Sequence, residues 1–211
     1  MDYNLQILLF LIFPMLSFIV LLFFGKKLKE ISSYIGLFLI GLMLLNSISL
    51  LYKFISSSII NLKESFLWFS AGDFSINLGY YVDSVTAIML FVVALIAFLV
   101  HLYSTEYMKG DIRYSRYFAF LGIFIFSMNG IVLSDSLIMM YLFWELVGLS
   151  SFLLIGFWFE KELPPLAANK AFLTNRVGDI GMFIGIMILF FSVGSFNIND
   201  IINSTVNMDP Y

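Results

Sequence analysis

The sequence of 211 residues contains no cysteine and only one histidine, His101. A chain without cysteine has neither a disulfide framework nor the thiolate ligands of an iron–sulfur cluster, and a single histidine cannot build a multi-histidine metal or haem site. The sequence has no GxGxxG or GxxxxGKS/T motif, so nothing indicates nucleotide binding. It also lacks a basic patch suited to nucleic acid. These absences predict that the chain itself holds no cofactor or metal.

Charged residues are scarce as well. They make up 12% of the chain, against 61% for hydrophobic residues, whereas an average soluble domain is about 25% charged. Six nearly uncharged runs lie at residues 5–24, 31–52, 84–105, 117–134, 136–159 and 180–199. Each is close to the ~20 apolar residues that a helix needs to cross a bilayer. The sequence therefore predicts an all-α fold, a bundle of about six transmembrane helices in a lipid bilayer, with residues 1–211 forming a single domain.

Basic residues are concentrated in the loops on one side of this predicted bundle. They follow the first, third and fifth predicted helices and comprise Lys26, Lys27, Lys29, Lys109, Arg113, Arg116 and Lys161. The loops of the opposite side carry only Lys53 and Lys63. By the positive-inside rule the basic loops face the cytoplasm or its organellar equivalent. The N-terminus and the segment after the sixth helix are then expected on the outer side.

The longest polar connection, residues 53–82, is expected at the outer face. Aromatic and β-branched residues flank "AGD" at positions 71–73, a pattern that favours a β-hairpin. Asp83 and Asp135 each precede a hydrophobic run, so both are predicted to cap helix N-termini.

A carboxylate interrupts the fifth hydrophobic run, in "FWELVGLSSFLLIGFWF" at residues 143–159. Glu145 lies near the middle of the predicted span, where a charged group is costly and normally faces a protein interior or a water-filled cavity. Gly148, one turn further on, would let a neighbouring helix approach. The position predicts proton transfer by Glu145; the alternative is a neutral or ion-paired side chain that only locks two helices together.

A second polar group lies in "NKAFLTNRVGDIG", residues 169–181. Arg176 and Asp179 are spaced i,i+3 and can pair on one helix face, and Gly178 and Gly181 are expected to permit close helix packing. If the sixth helix starts at residue 180, the pair lies at the headgroup boundary with a snorkelling arginine. If the helix starts near Pro165, the pair is buried and can reach Glu145.

His101 is expected near the cytoplasmic end of the third predicted helix. One interpretation is a cation favoured by the dipole at a helix C-terminus. The other is a proton relay.

These motifs together carry a family resemblance. The string "FWELVGLSSFLLIGFWF" followed by "AANKAFLTNRVGDIG", with "YYVDSVTAIM" at 80–89 and "HLYSTEYM" at 101–108 upstream, closely resembles the proton-pumping subunit L (chain 5) of NADH:quinone oxidoreductase, respiratory complex I. The resemblance extends from residue 5 to about residue 194.

The resemblance implies an antiporter-like fold of inverted repeats and a role in proton translocation coupled to quinone reduction. Glu145 would then be a core proton-transfer residue, and Arg176 and Asp179 part of its charged network. NADH, FMN, iron–sulfur clusters and quinone would be bound by partner subunits, and the other membrane-arm subunits would be the partners of this chain. The family chain is much longer, and the lysine that partners the glutamate would lie beyond Tyr211, so these residues are expected to form an N-terminal part without a complete proton path.

Two other functions are compatible with the sequence. The chain could be a subunit of a multi-subunit cation/proton antiporter, without a redox partner, or a truncated, non-conducting piece that serves packing or assembly. The expected location is the bacterial inner membrane, with an organellar inner membrane as the alternative.

Overall fold

The structure, a computed structural model, describes residues 3–56, 61–71 and 74–206. Seven helices and two strands follow one another along these residues. They are α1 (Tyr3–Leu28), α2 (Ile31–Ser56), β1 (Leu62–Ala71), β2 (Phe74–Val82), α3 (Ser84–Tyr107), α4 (Tyr114–Leu133), α5 (Leu137–Ile155), α6 (Leu163–Val193) and α7 (Ile198–Val206).

Within the described residues, the six helices α1 to α6 are long and apolar enough to cross a membrane. The shortest, α5, has 19 residues and is about 28 Å long at 1.5 Å per residue, which matches a bilayer core of about 30 Å. The prediction of a helical transmembrane bundle is confirmed.

The sixth span has the earlier of the two starts that the sequence left open. The hydrophobic run covers residues 180–199, but α6 begins at Leu163, next to the two prolines, and ends at Val193. Two prolines occupy the first helical positions, where their missing N–H groups cost nothing. Gly194 ends the helix in the left-handed conformation, with φ of 80°. Hydropathy alone placed the start too late because Lys170, Arg176 and Asp179 lower the average over the first half of the helix.

The interior of the bundle is formed mainly by α1 to α4. Gly122 of α4 lies so close to α1 that an added Cβ would be 3.0 Å from the carbonyl oxygen of Pro14 and from the backbone nitrogen of Phe18. At this crossing Asn129 donates a hydrogen bond to the carbonyl of Phe10 at 2.8 Å. The absent side chain of Gly122 therefore allows the two helix backbones to meet.

The connection between α2 and α3 contains the β1–β2 hairpin. The strands pair antiparallel from Leu62 opposite Val82 to Ala71 opposite Phe74, with an irregularity between Leu67 and Phe69. Residues 72 and 73 of the "AGD" turn lie outside the described residues. Asp83 caps α3 as predicted, since its Oδ1 accepts a hydrogen bond from the N–H of Thr86 at 2.8 Å.

Asp135, the second predicted cap, does not cap a helix. Ser136 caps α5 instead, through its Oγ and the N–H of Met139 at 3.4 Å. The side chain of Asp135 is buried and accepts a hydrogen bond from Asn197 Nδ2 at 3.4 Å. It lies against β2, because a Cβ added to Gly79 would be 2.6 Å from its Oδ2. Asp135 thus joins the hairpin, the α4–α5 turn and the segment before α7.

The basic loops lie together at one end of the bundle. Lys26 in the last turn of α1 and Lys29 of the α1–α2 turn line the same cleft as Asp111 of the α3–α4 loop. Arg113 of that loop forms an ion pair at 3.1 Å with Glu160 of the α5–α6 connection. The hairpin and Asp135 belong to the opposite end, so the charge asymmetry expected from the sequence is present in three dimensions.

Candidate functional site

The site forms along the contact between the antiparallel helices α5 and α6. Two aromatic pairs mark this contact: the rings of Tyr141 and Phe183 lie 5.5 Å apart, and those of Phe152 and Phe172 lie 5.3 Å apart. Phe172 is four residues before Arg176, on the same helix face. The two aromatic pairs fix the register of the helices, and the polar contacts lie between them.

Glu145, Arg176 and Asp179 come together in this space. Arg176 forms an ion pair with Glu145 Oε2 through its Nη1, and the same nitrogen lies 3.7 Å from Asp179 Oδ2. The two carboxylates thus share a single guanidinium. We call these three side chains the charged cluster.

The charged cluster lies near the middle of α5 along the direction of the span. Glu145 is about 12 Å from the first residue of α5 and about 15 Å from the last, at 1.5 Å per residue. The exposed fractions of the side chains are 21% for Glu145, 35% for Arg176 and 8% for Asp179. Of the two placements left open by the sequence, the structure has the one inside the span, because α6 begins at Leu163 and carries Arg176 and the buried Asp179 past the headgroup boundary.

Two further side chains hold the charged cluster in place. The indole N–H of Trp144 donates a hydrogen bond to Asp179 Oδ1 at 3.0 Å. The guanidinium carbon of Arg176 lies 4.5 Å from the ring centroid of Phe172, a distance suited to a cation–π interaction. Trp144 is not among the residues predicted from the sequence, although a tryptophan beside a glutamate in an apolar helix indicates an indole N–H that needs a partner.

A cleft of about 320 Å³ borders the charged cluster. Asp179 lines it together with the polar Ser151, Thr174 and Asn175 and the apolar Val147 and Met182. Asp179 is therefore the member of the charged cluster that borders an open space.

The glycines near the charged cluster do not bring helices together as expected. An added Cβ would meet nothing within 4 Å at Gly148, Gly178 or Gly181 among the described residues. The close approach on α5 occurs elsewhere, where the ring of Phe143 covers Gly130 of α4. Side chains, rather than close backbones, hold α5 and α6 together.

His101 lies apart from the charged cluster. It is buried in α3, nearly two turns before Tyr107, with its Nδ1 2.9 Å from the carbonyl oxygen of Ala97. Its ring centroid is 5.7 Å from that of Phe118 on α4. The structure thus brings together three of the four candidate residues.

The described residues contain no group of three or more His, Cys, Asp or Glu side chains arranged to hold a metal ion. The chemistry available in the charged cluster is ionic. Two carboxylates and one guanidinium carry a formal charge of −1, and the uptake of one proton makes the group neutral.

Two family models match the chain. The N-terminal model of chain 5 of NADH-ubiquinone oxidoreductase (complex I) matches residues 68–118. The transmembrane model of NADH:quinone oxidoreductase and Mrp antiporters matches residues 134–210, a range that contains the whole charged cluster. The helical bundle with its buried ionic cluster is accordingly an antiporter-like membrane subunit.

Known proteins narrow this class to a family. The chloroplastic NAD(P)H-quinone oxidoreductase subunit 5 of Carpenteria californica is 40% identical over 198 residues, covering 92% of this chain and 26% of that protein. The same subunit of Piper cenocladum is 41% identical over 191 residues, covering 87% of this chain and 26% of that protein. The chain belongs to the family of these subunits, and it spans about a quarter of the length of the curated relatives it matches.

One solved structure gives the same fold. It is a chain of the membrane-bound sulfane sulfur reductase, an archaeal respiratory membrane complex, with a TM-score of 0.78 and 14% sequence identity over 92% of this chain and 39% of that chain. At this identity the likeness shows the fold alone. The antiporter-like arrangement of helices expected from the sequence is confirmed.

Proposed function

We propose that this chain takes part in proton translocation as a membrane-arm subunit of an NAD(P)H:quinone oxidoreductase, with Glu145 as the proton carrier. The observation that carries the proposal is the ion pair of Arg176 with Glu145 in the middle of α5, with Asp179 3.7 Å from the same nitrogen. An arginine shared by two carboxylates can pair with either one. Which carboxylate it pairs with would depend on whether Glu145 holds a proton. The names of the relatives supply the reaction to which these states would be coupled.

The transfer step can be written for these residues alone. A proton bound at Glu145 removes the negative charge that holds Arg176, and the guanidinium then pairs with Asp179. When the proton leaves, Glu145 regains its charge and attracts Arg176 again. The long side chain of Arg176 makes this exchange without movement of a helix, and the cleft beside Asp179 supplies the water through which protons arrive or depart.

The remaining components of the reaction belong to other chains in this proposal. NADH, FMN, iron–sulfur clusters and quinone bind to partner subunits, and this chain carries no redox centre of its own. It acts in the membrane of a bacterium or an organelle, with its basic loops on the inner side and its N-terminus on the outer side. The Lys and Arg asymmetry between the two ends of the bundle supports this orientation.

The test replaces Glu145 in the assembled complex. Glutamine keeps the size and hydrogen-bonding capacity of the side chain but cannot titrate, whereas aspartate titrates and is one methylene shorter. We expect proton uptake into inverted vesicles, driven by NADH and normalised to assembled complex, to fall in the order wild type, Glu145→Asp, Glu145→Gln. Glu160→Gln, a change at a glutamate that is 72% exposed, should pump as the wild type does. Full pumping by the glutamine variant would leave Glu145 as a residue that only joins two helices.

A cation/proton antiporter subunit is the second candidate, because the family model over residues 134–210 also describes Mrp antiporters. The same charged cluster would then exchange protons for a cation without a redox partner. The two candidates differ in what drives transport. Proton movement driven by NADH supports the oxidoreductase, and movement driven by an imposed Na⁺ gradient without NADH supports the antiporter.

A further inference from the structure

A cleft of about 320 Å³ lies at the basic end of the bundle, between α4, α5 and α6. Its volume is at the lower end of the range of roughly 300–1,000 Å³ that is usual for ligand sites. Its polar lining comprises Arg113, Arg116 and Asn169, and its other walls, among them Phe120 and Leu153, are apolar. No acidic side chain of the described residues lines it. We call this space the basic cleft.

Arg113 forms a fixed wall of the basic cleft. Its Nη1 and Nη2 donate hydrogen bonds to Oε1 and Oε2 of Glu160 at 3.1 and 3.4 Å. Its guanidinium carbon lies 4.2 Å from the ring centroid of Phe159, and only 15% of its side chain is exposed. The charge of Arg113 is therefore balanced by Glu160, and its position is set by contacts within the protein.

Arg116 provides the unbalanced charge of the basic cleft. It is exposed, and its side chain forms no ion pair or hydrogen bond with any other residue that the structure describes. Asn169 is also exposed, and its side-chain amide likewise has no hydrogen-bond partner within the described ranges. A guanidinium presents a planar fork of donors that matches two oxygens of a phosphate. The available binding groups thus suit a phosphate-bearing anion.

The basic cleft changes from polar to apolar along the direction of the span. Arg116 is the third residue of α4, and Phe120 lies one turn further into the helix. Leu153 lies in the last turn of α5, inside the span. The loop that follows α5 carries Trp158 and Phe159, and tryptophan in particular is enriched at the headgroup level of membrane proteins. The unpaired cation therefore lies at headgroup level, while the apolar walls lie at the level of the acyl chains.

We propose that the basic cleft binds an anionic phospholipid, with the phosphate on Arg116 and the first part of one acyl chain against Phe120 and Leu153. Basic pockets between transmembrane helices are suited to such headgroups. A zwitterionic lipid fits less well, because the cleft offers no carboxylate to its ammonium group. A free phosphate fits less well too, because it leaves the apolar walls uncovered. Asn169 donates to a second oxygen of the headgroup.

Lipid affinity of the full chain tests the proposal. The chain is purified in detergent, stripped of lipid and titrated with phosphatidylglycerol or with phosphatidylcholine of the same acyl chains, and native mass spectrometry gives the Kd of the first bound lipid. We expect the wild type to prefer phosphatidylglycerol by about tenfold, the order that one hydrogen-bonded charge contributes. Arg116→Gln should abolish most of this preference. Arg116→Lys, which keeps the charge and loses the fork, should retain part of it.

Lys27→Gln is the matched control. Lys27 is an exposed cation in the last turn of α1, at the same end of the bundle, and it does not line the basic cleft. Its replacement removes the same charge and should leave most of the preference. A phosphatidylglycerol with a photoreactive diazirine near the top of its acyl chain should label the segments that contain Phe120 and Leu153. Glycerol 3-phosphate in large excess should not displace the lipid.

Each outcome decides the matter once circular dichroism has shown that the variants keep their helices. A preference that Arg116→Gln removes and Lys27→Gln retains, with labelling of α4 and α5, supports the lipid site. Equal affinities for the two lipids in the wild type overturn it, and so does labelling of other helices alone. Equal losses in the two glutamine variants would assign the preference to the basic end as a whole. Displacement by glycerol 3-phosphate would make the cleft a site for soluble phosphates, which also overturns the proposal.

The lipid site is independent of the proposed role of Glu145. None of these measurements involves proton pumping, and Arg116 has no contact with the charged cluster among the described residues. A failure of one proposal therefore leaves the other standing.

Discussion

Removing the charge of Glu145 tests whether the charged cluster also holds α5 and α6 together. In the Glu145→Gln variant Arg176 loses its ion-pair partner and retains Asp179, which lies 3.7 Å away. In Arg176→Gln both carboxylates lose their cation. We therefore expect Arg176→Gln to destabilise the chain more than Glu145→Gln does.

The magnitude follows from the burial of the pair. Two unit charges 4 Å apart attract by about 1 kcal/mol in water and about 4 kcal/mol at an effective dielectric constant of 20. The pair lies inside the span, with 21% of the Glu145 and 35% of the Arg176 side chain exposed, and the desolvation of both ions offsets part of the larger attraction. We expect a coupling of about 2 kcal/mol, or a change of roughly 30-fold in the unfolding equilibrium.

The measurement is a double-mutant cycle on the chain in bicelles, unfolded with denaturing detergent and followed by circular dichroism. The coupling is the free energy by which the double variant departs from the sum of the two single variants. Glu160→Gln serves as the matched control, since Glu160 pairs with Arg113 but is 72% exposed, and its loss should cost less than about 1 kcal/mol. Additive effects of Glu145→Gln and Arg176→Gln would show that the pair contributes nothing to the packing of α5 against α6.

Three other measurements test the fold and its orientation. Burial raises the pKa of Asp135 above its ordinary value of 3.8, so the folded state holds this proton more tightly than the unfolded state does. The free energy of unfolding of the wild type should fall as the pH rises from about 3.8 through the folded pKa, and Asp135→Asn should remove that fall. Equal pH profiles of the two proteins would refute a raised pKa of Asp135. Gly130→Ala should cost about 1–3 kcal/mol by overpacking against Phe143, whose ring carbon would lie 2.2 Å from the new Cβ, whereas Gly178→Ala should be tolerated. A cysteine at position 27 should resist an impermeant thiol reagent applied from outside, and ready labelling would reverse the proposed orientation.

The bundle could be predicted from the sequence because a bilayer imposes a length on every span. The first five hydrophobic runs agree with α1 to α5 within a few residues at each end, since nearly all charges near them, Glu145 excepted, lie at or beyond the ends of the runs. The sixth hydrophobic run begins later than α6, because Arg176 and Asp179 lie inside the helix and lower its hydropathy. Pro164 and Pro165, which favour the first turn of a helix, indicate the start of α6 more accurately than hydropathy does.

The candidate site could be predicted only in part. Glu145 could be identified because a carboxylate in the middle of an apolar run costs free energy in a membrane unless it faces a protein interior or a cavity. The pairing of Arg176 with Glu145 depends on the register of α5 against α6, which no local pattern contains. The partners of Trp144 and Asp135 were hidden for the same reason, because each lies on another helix or strand. Asp135 was misassigned as a cap because the sequence before a helix cannot show that the side chain turns toward the hairpin.

The packing of α5 on α6 explains how one arginine can serve two carboxylates. Aromatic pairs on both sides of the charged cluster set the register, while the open space at Gly148 and Gly178 shows that the backbones are not in close contact there. Long side chains therefore span the gap between the helices, and the guanidinium can turn toward either acid within fixed surroundings. Trp144 holds Asp179 in one orientation through its 3.0 Å hydrogen bond, so in the proposed mechanism Arg176 is the side chain that turns and the proton on Glu145 decides where it pairs. A change of protonation would then switch the pairing of Arg176 without a movement of helices.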